Sequence, residues 1–258
     1  NDGNPSTMTI DLMAYQNGDQ KLIIDNIEVA AGEYQNLILN TSGCPQNHNG
    51  SAEFCWVVDG TGIKTLKTPS NKLKLGPFNV TTDSEQSYTI EFNLRSSMTS
   101  TANGASYNLK PHGIRIVDSA GVGSLVGSVD ANLLTVGDGC EAVYQADTDH
   151  GKIVYIYEGD VAVEDILADE FDPDIAENVI PDNAIMPYAS DSLVFDGIDY
   201  SYNFSHLPAG NYTVAFSCSA IDDFSEEYDS IMIANPESQR HTVTIEAGEQ
   251  LIQNFTES

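Results

Sequence analysis

Apolar residues recur at every second position in short runs, and Gly, Asn, Asp and Ser punctuate them. That period belongs to a half-buried strand and is incompatible with a helix, whose apolar stripe repeats at three and four residues. Tyr88, Ile90, Phe92 and Leu94 share one face of such a run, with Thr89, Glu91 and Asn93 on the other. In the first half, Thr7–Tyr15, Gln20–Ile27, Tyr34–Leu39, Cys55–Val58, Tyr88–Leu94 and Leu109–Val117 read as strands. In the second half, Cys140–Gln145, Lys152–Glu158, Ser192–Phe195, Tyr200–Phe204, Tyr212–Cys218, His241–Ile245 and Gln250–Phe255 do so. The expected fold class is all-β: two antiparallel β-sandwich domains in tandem, residues 1–128 and 129–258. An acidic insert, 161–182, interrupts the second, with a short helix expected at Val163–Leu167. Gly121–Gly127 has the wrong spacing for a dinucleotide loop and reads as a bend near the junction.

Charge narrows the partners. Ten Lys and Arg face 39 Asp and Glu, for a net charge of −29. Such a chain repels nucleic acid and anionic lipid, because phosphate binding needs clustered cations. Hydrophobic residues still make up 41% of it, enough to build cores. No run approaches a membrane span of ~20 apolar residues. The chain opens on the polar stretch Asn1–Pro5 rather than on a secretion leader.

Four cysteines, Cys44, Cys55, Cys140 and Cys218, lack the spacing of zinc or haem motifs. Three pairings are available. The simplest joins Cys44 to Cys55 and Cys140 to Cys218, the first pair clamping the Pro45–Glu53 loop. Disulfides persist outside the cytosol, so the expected location is extracellular or at the cell surface, on a bacterial outer surface or in the periplasm.

No catalytic motif appears. There is no nucleophile elbow, and His48, His112, His150, His206 and His241 are scattered. The chain is therefore read as a non-enzyme without an obligatory cofactor. Calcium is the chemical candidate, since loops dense in Asp supply the oxygens it takes. Three loops qualify: Asp147 and Asp149 before Gly151; Asp169, Asp172 and Asp174; and Asp222, Asp223, Glu226, Glu227 and Asp229. Each is set against the plainer reading of a solvated acidic loop, and none fits the EF-hand pattern. Tyr200 and Tyr202 share a strand face with Phe204, as Tyr155 does with Tyr157. Exposed, such a row stacks on sugar rings; buried, it is core. Trp56 reads as packing.

Thr9–Met13 with Asn17-Gly18, Ala31–Leu39, Phe92–Ser97 and Tyr107–Pro111 with Arg115 carry a family pattern in order. On these residues the first half resembles the bacterial domain of unknown function DUF4382. The second half, through Val154–Tyr157 and Leu207–Val214, resembles a transthyretin-like or carboxypeptidase-regulatory-like sandwich. The resemblance implies an exported protein, often a lipoprotein, with no catalytic residues to carry over. Members usually open with two further strands before the stretch matching Thr9–Tyr15. Without those strands a sandwich exposes an open edge. Two explanations stand open: a truncated or processed chain, or a gap filled by a strand of another copy. The expectation is a surface structural or adhesive protein, and on the second explanation a fibre subunit. The alternative is a module that binds glycan or calcium.

Overall fold

The computed structural model describes residues 8–41, 44, 55–82, 85–101 and 104–257. The chain is all-β in its described residues, with helices of one turn only. It divides into two compact units, Asn1–Ile116 and Val117–Ser258.

The first unit contains β1 (Gly32–Tyr34), β2 (Leu37–Asn40), β3 (Trp56–Asp59), β4 (Gly62–Lys67), β5 (Lys72–Leu75), β6 (Phe78–Val80), β7 (Tyr88–Phe92), β8 (Met98–Thr101) and β9 (Ser106–Leu109), and β10 (Ile114–Asp118) runs across the boundary. One sheet has four strands, in the order β3-β4-β9-β8; β1-β6, β2-β5 and β7-β10 are two-stranded pairs. Leu73 and Leu75 of β5, Leu109 of β9 and Ile114 of β10 form the small core. Ile90 and Phe92 pack against it, as their alternation predicts. Leu94, placed on the same face, instead opens a one-turn helix, α1 (Leu94–Ser97). Asn93 caps that helix by accepting the Ser96 N–H, a local bond that competes with strand continuation.

Two strands expected in the first half do not form. Between Met8 and Ala31 the described chain holds only a 3-10 turn, Leu12–Ala14. Thr7 lies outside the described residues, as do the Pro45–Glu53 loop and His48. Apolar residues alternate at Met8, Ile10 and Leu12 and run together at Leu22–Ile24, but no strand among the described residues pairs with this segment. Met8, Met13, Leu22, Ile24 and Ile27 are all more than half exposed. A strand needs a neighbour for its backbone groups, and periodicity alone does not supply one.

The second unit is built from β11 (Val122–Val129), β12 (Ile153–Glu158), β13 (Ile166–Leu167), β14 (Ala184–Ile185), β15 (Ala189–Ser192), β16 (Val194–Phe195), β17 (Tyr200–Pro208), β18 (Gly210–Ser217), β19 (Arg240–Ile245) and β20 (Gln250–Ile252). Its two four-stranded sheets run β16-β17-β11-β20 and β15-β12-β18-β19. Leu125, Val129, Tyr202 and Phe204 of the first sheet meet Val154, Ile156, Val214 and Phe216 of the second in one core. β12 is buried on both faces, because Ile153, Tyr155 and Tyr157 belong to a second core on its outer side. The acidic insert and the segment after β18 supply Leu167, Ala220 and Ala234 to that second core.

The pairing is mixed rather than purely antiparallel: β4-β9, β11-β20 and β13-β14 run parallel. Gly121 lies in the bend between β10 and β11, but Val122–Gly127 belongs to β11 and continues as strand. A Cβ on Gly127 would stand 1.8 Å from the Gln253 carbonyl oxygen, and one on Gly123 2.4 Å from that of Glu246. These glycines admit a neighbouring backbone, a use that a sequence does not distinguish from a turn. The unit boundary accordingly falls at 116/117 and not at 128/129, because β11 pairs with β17 and β20. Val163–Leu167 is not a helix but a turn leading into β13. Cys140–Gln145 is not a strand: Cys140–Val143 forms a one-turn helix.

Candidate functional site

Both expected cystines are present, Cys44–Cys55 and Cys140–Cys218, with Cα atoms 5.1 and 5.4 Å apart. The second closes a loop of 78 residues that contains the acidic insert. Asn235, 1% exposed, buttresses it. Its side-chain amide donates to the Asp138 carbonyl (2.8 Å) and to Ser219 Oγ (2.6 Å), and its Oδ1 accepts the Asp138 N–H.

The loop at Asp147 and Asp149 already contains a cation. Lys152, 1% exposed, donates from Nζ to the carbonyls of Gln145 (2.6 Å) and Thr148. The same ammonium lies 4.7 Å from the Tyr200 ring centroid. Asp147 and Asp149 are exposed, and the inward carbonyls are committed to Lys152. The loop is thus a lysine-filled turn whose two carboxylates face solvent.

The tyrosine platform is corrected. Tyr200 and Tyr202 are each 3% exposed. The Tyr200 hydroxyl accepts the Asp147 N–H, and Tyr202 donates to the Gln253 carbonyl at 2.7 Å. Phe195, Phe204 and Phe255 cover the rings, so no face is open to a sugar. Tyr155 and Tyr157 are wholly buried. Trp56, expected to pack, is 45% exposed on β3.

The other two acidic loops, about fifty residues apart in sequence, are brought together over the outer face of β12. Asn178 bridges them, donating to the carbonyls of Asp172 and Glu226 at 3.0 Å each. Ile231 N–H donates to Asp169 Oδ2 at 2.8 Å, and the Tyr155 hydroxyl donates to Asp223 Oδ2. Tyr157 donates to the Ala168 carbonyl, and Ser190 to Glu170 Oε1 at 2.9 Å. Asp229 accepts the Phe224 N–H at 2.7 Å. Asp169, Glu170, Asp172 and Asp223 are buried, whereas Asp174, Asp222 and Glu227 are exposed. Among the described residues, no three His, Cys, Asp or Glu side chains stand together as a metal-holding group.

Burial raises the Asp169 carboxyl to about 7, against the pull of the Ile231 N–H, and the charges of Asp223 and Asp229 push the same way. Asp229 is raised as well, first by burial. Burial drives the Tyr157 hydroxyl well above its ordinary value, with Glu170 and Asp169 adding to it. Sequence reading set a calcium loop against a solvated loop for these acids, and neither anticipates their burial. The missed signal is charge balance: between Lys152 and Arg240 the chain carries nineteen Asp and Glu and neither a Lys nor an Arg.

In the first unit, the motif Ala31–Leu39 spans β1 and β2, Phe92–Ser97 spans the end of β7 and α1, and Tyr107–Pro111 spans β9 and the turn after it. Residues 1–111 match the model of the domain of unknown function DUF4382. The DUF4382 match ends within the first unit, five residues before its boundary. It takes in the Met8–Ala31 segment, which forms no strand among the described residues, and the Cys44–Cys55 cystine. No curated protein matches the chain.

Proposed function

We propose that this is an exported, non-enzymatic structural or adhesive protein of the cell surface whose copies assemble by strand addition. The observation that carries the reading is the Met8–Val29 segment. It has the apolar content of strands, exposes Leu22 at 71% and Ile24 at 58%, and pairs with no strand among the described residues. The same unit holds three two-stranded pairs. An isolated two-stranded ribbon is marginal in water, and a third strand with a hydrophobic face is what makes it stable. A strand seeking a sheet and pairs that accept a strand therefore occur in one chain, the two halves of strand addition between copies. The cystines favour an oxidising location. The second unit, read as a transthyretin-like module, serves in this account as the rigid body that the fibre carries.

Light scattering and negative-stain microscopy test the proposal. The native chain should form oligomers or filaments. These should grow with salt, because −29 charges per copy repel until screened. The double variant Leu22→Asp, Ile24→Asp should stay monomeric with an unchanged melting temperature. A native chain that remains monodisperse and monomeric at high concentration and high salt defeats the proposal.

A further inference from the structure

The four-stranded sheet of the first unit ends on one side at β3, and among the described residues no strand pairs with its outer edge. The Leu66 N–H donates to the Cys55 carbonyl at 3.0 Å. In an antiparallel pair, residues that bond to the partner strand alternate with residues that do not. Cys55, Val57 and Asp59 therefore turn their backbone groups toward β4, while Trp56 and Val58 turn theirs outward. The side chains of this hairpin are as open as its edge. Trp56 shares a face with Val58 and, across the ladder, with Ile63; Val58 and Ile63 are each 69% exposed. Residues 55–58 carry no charge. Asp59, the one charged residue of β3, has its carboxylate tied to the Thr61 N–H at 2.7 Å and to the Tyr107 hydroxyl at 3.1 Å.

Elsewhere in this unit the edges are blunted. β8, at the far side of the same sheet, exposes only Ser100. The β2-β5 ribbon shows Lys72 and Lys74 on its outer side, and lysine at an edge opposes the addition of a strand. In the β1-β6 ribbon the Asn79 carbonyl already accepts from the Tyr88 hydroxyl. An uncharged edge with large apolar side chains beside it is what a further strand takes. The Met8–Val29 segment of the same copy does not pair with it.

We propose, on the assembly reading given above, that β3 is the acceptor in the strand addition between copies. Residues 21–25 of a second copy join it antiparallel, with Leu22 opposite Val58 and Ile24 opposite Trp56. In this register Leu22 and Ile24 extend the face of Trp56, Val58 and Ile63, and apolar side chains meet across the ladder. Lys21 falls opposite Asp59 on the other face, a cation against the one charge of β3. The outward N–H and C=O groups of Trp56 and Val58 gain partners. A slip of a single residue would send Leu22 and Ile24 to the opposite face and lose the match.

The test uses the full chain with its cystines intact. Trp56 is the one tryptophan in the sequence, so its emission reports on this edge alone. As concentration rises, the emission should move to shorter wavelength and acrylamide quenching should fall, in step with light scattering. Val58→Lys should raise the concentration needed for assembly by roughly fivefold or more, through the loss of a cross-strand pair. Val58→Pro, which removes an outward N–H and no bond to β4, should abolish assembly. Val163→Lys, at an exposed valine of the second unit, should assemble as the native chain does. Oligomers that form with Trp56 emission unchanged, or with Val58→Lys as competent as the native chain, overturn the β3 site and leave assembly through the Met8–Val29 segment standing. Blue-shifted emission in a monomer, unaltered by dilution, means that the segment of the same copy covers β3, and this too overturns the proposal. A native chain that is monomeric at every concentration overturns both readings.

Discussion

The Lys152 ammonium lies against the face of Tyr200, 4.7 Å from the ring centroid, while donating to two carbonyls of the turn that precedes it. Burial draws the Lys152 pKa below its usual value, and Asp149 and Asp147 oppose the shift. Lys152→Met keeps the length of the side chain and removes the donors. It should destabilise the second unit by about 2–4 kcal/mol, because two buried carbonyls lose a charged partner along with a cation–π contact. Urea unfolding measures the loss, and a change under about 0.5 kcal/mol would contradict this account.

Gly127→Ala should destabilise the fold by about 1–3 kcal/mol or more, since the added methyl meets the Gln253 backbone and the buried Tyr202 ring, neither of which can swing away. Gly210→Ala serves as the comparison. A methyl there meets only the edge of the Tyr212 ring, at 4.0 Å, and should cost far less. Parallel thermal melts of the two variants decide the point, and equal losses would count against the close approach of β11 and the backbone after β20.

Asp191 in β15 accepts the Asn203 N–H of β17 at 3.0 Å, which ties the two sheets of the second unit together. Burial raises its carboxyl to about 6 from an ordinary 3.8, and the Asn203 N–H offsets part of this. Between those values the folded state holds a proton that the unfolded state has released. Stability should therefore fall as pH rises from about 4 to about 6, by about 2–3 kcal/mol, and stay lower above that. Asp191→Asn keeps the acceptor and removes the titration. Subtracting its stability–pH curve from that of the native chain should leave this step, and a flat difference would contradict the assignment.

Removing the Cys140–Cys218 bond by paired serine substitution should cost about 4 kcal/mol, given the 78-residue separation it closes. The Cys44–Cys55 bond, with a separation of 11, should cost about 2–3 kcal/mol. Denaturant midpoints of the two double variants give the order, and the reverse order would show that chain entropy does not govern the difference.

The second unit was the more legible in sequence. β12, β17, β18 and β19 lie within a few residues of the alternating runs that predict them, because each has neighbours in the same unit to bury its apolar side. Thr7–Tyr15 and Gln20–Ile27 are expected as strands too, but no strand among the described residues pairs with Met8–Ile27. Gly123 and Gly127 read as a bend because glycine marks turns and tight backbone approaches alike. The acidic insert was visible as composition, yet composition does not separate a solvated Asp174 from a buried Asp169. The pairing of the insert with the segment around Asp223, which makes the candidate site, is a tertiary fact that no local pattern records.

The long interval free of Lys and Arg between Lys152 and Arg240 bears on survival in a protease-rich medium. Proteases that cut after basic residues find no site there, so even complete digestion of the unfolded chain leaves Ile153–Arg240 in one piece. The Cys140–Cys218 bond keeps that piece attached to Ile116–Lys152. Within the second unit such enzymes find sites only after Lys152 and Arg240, and the fragments on either side of Lys152 stay covalently joined.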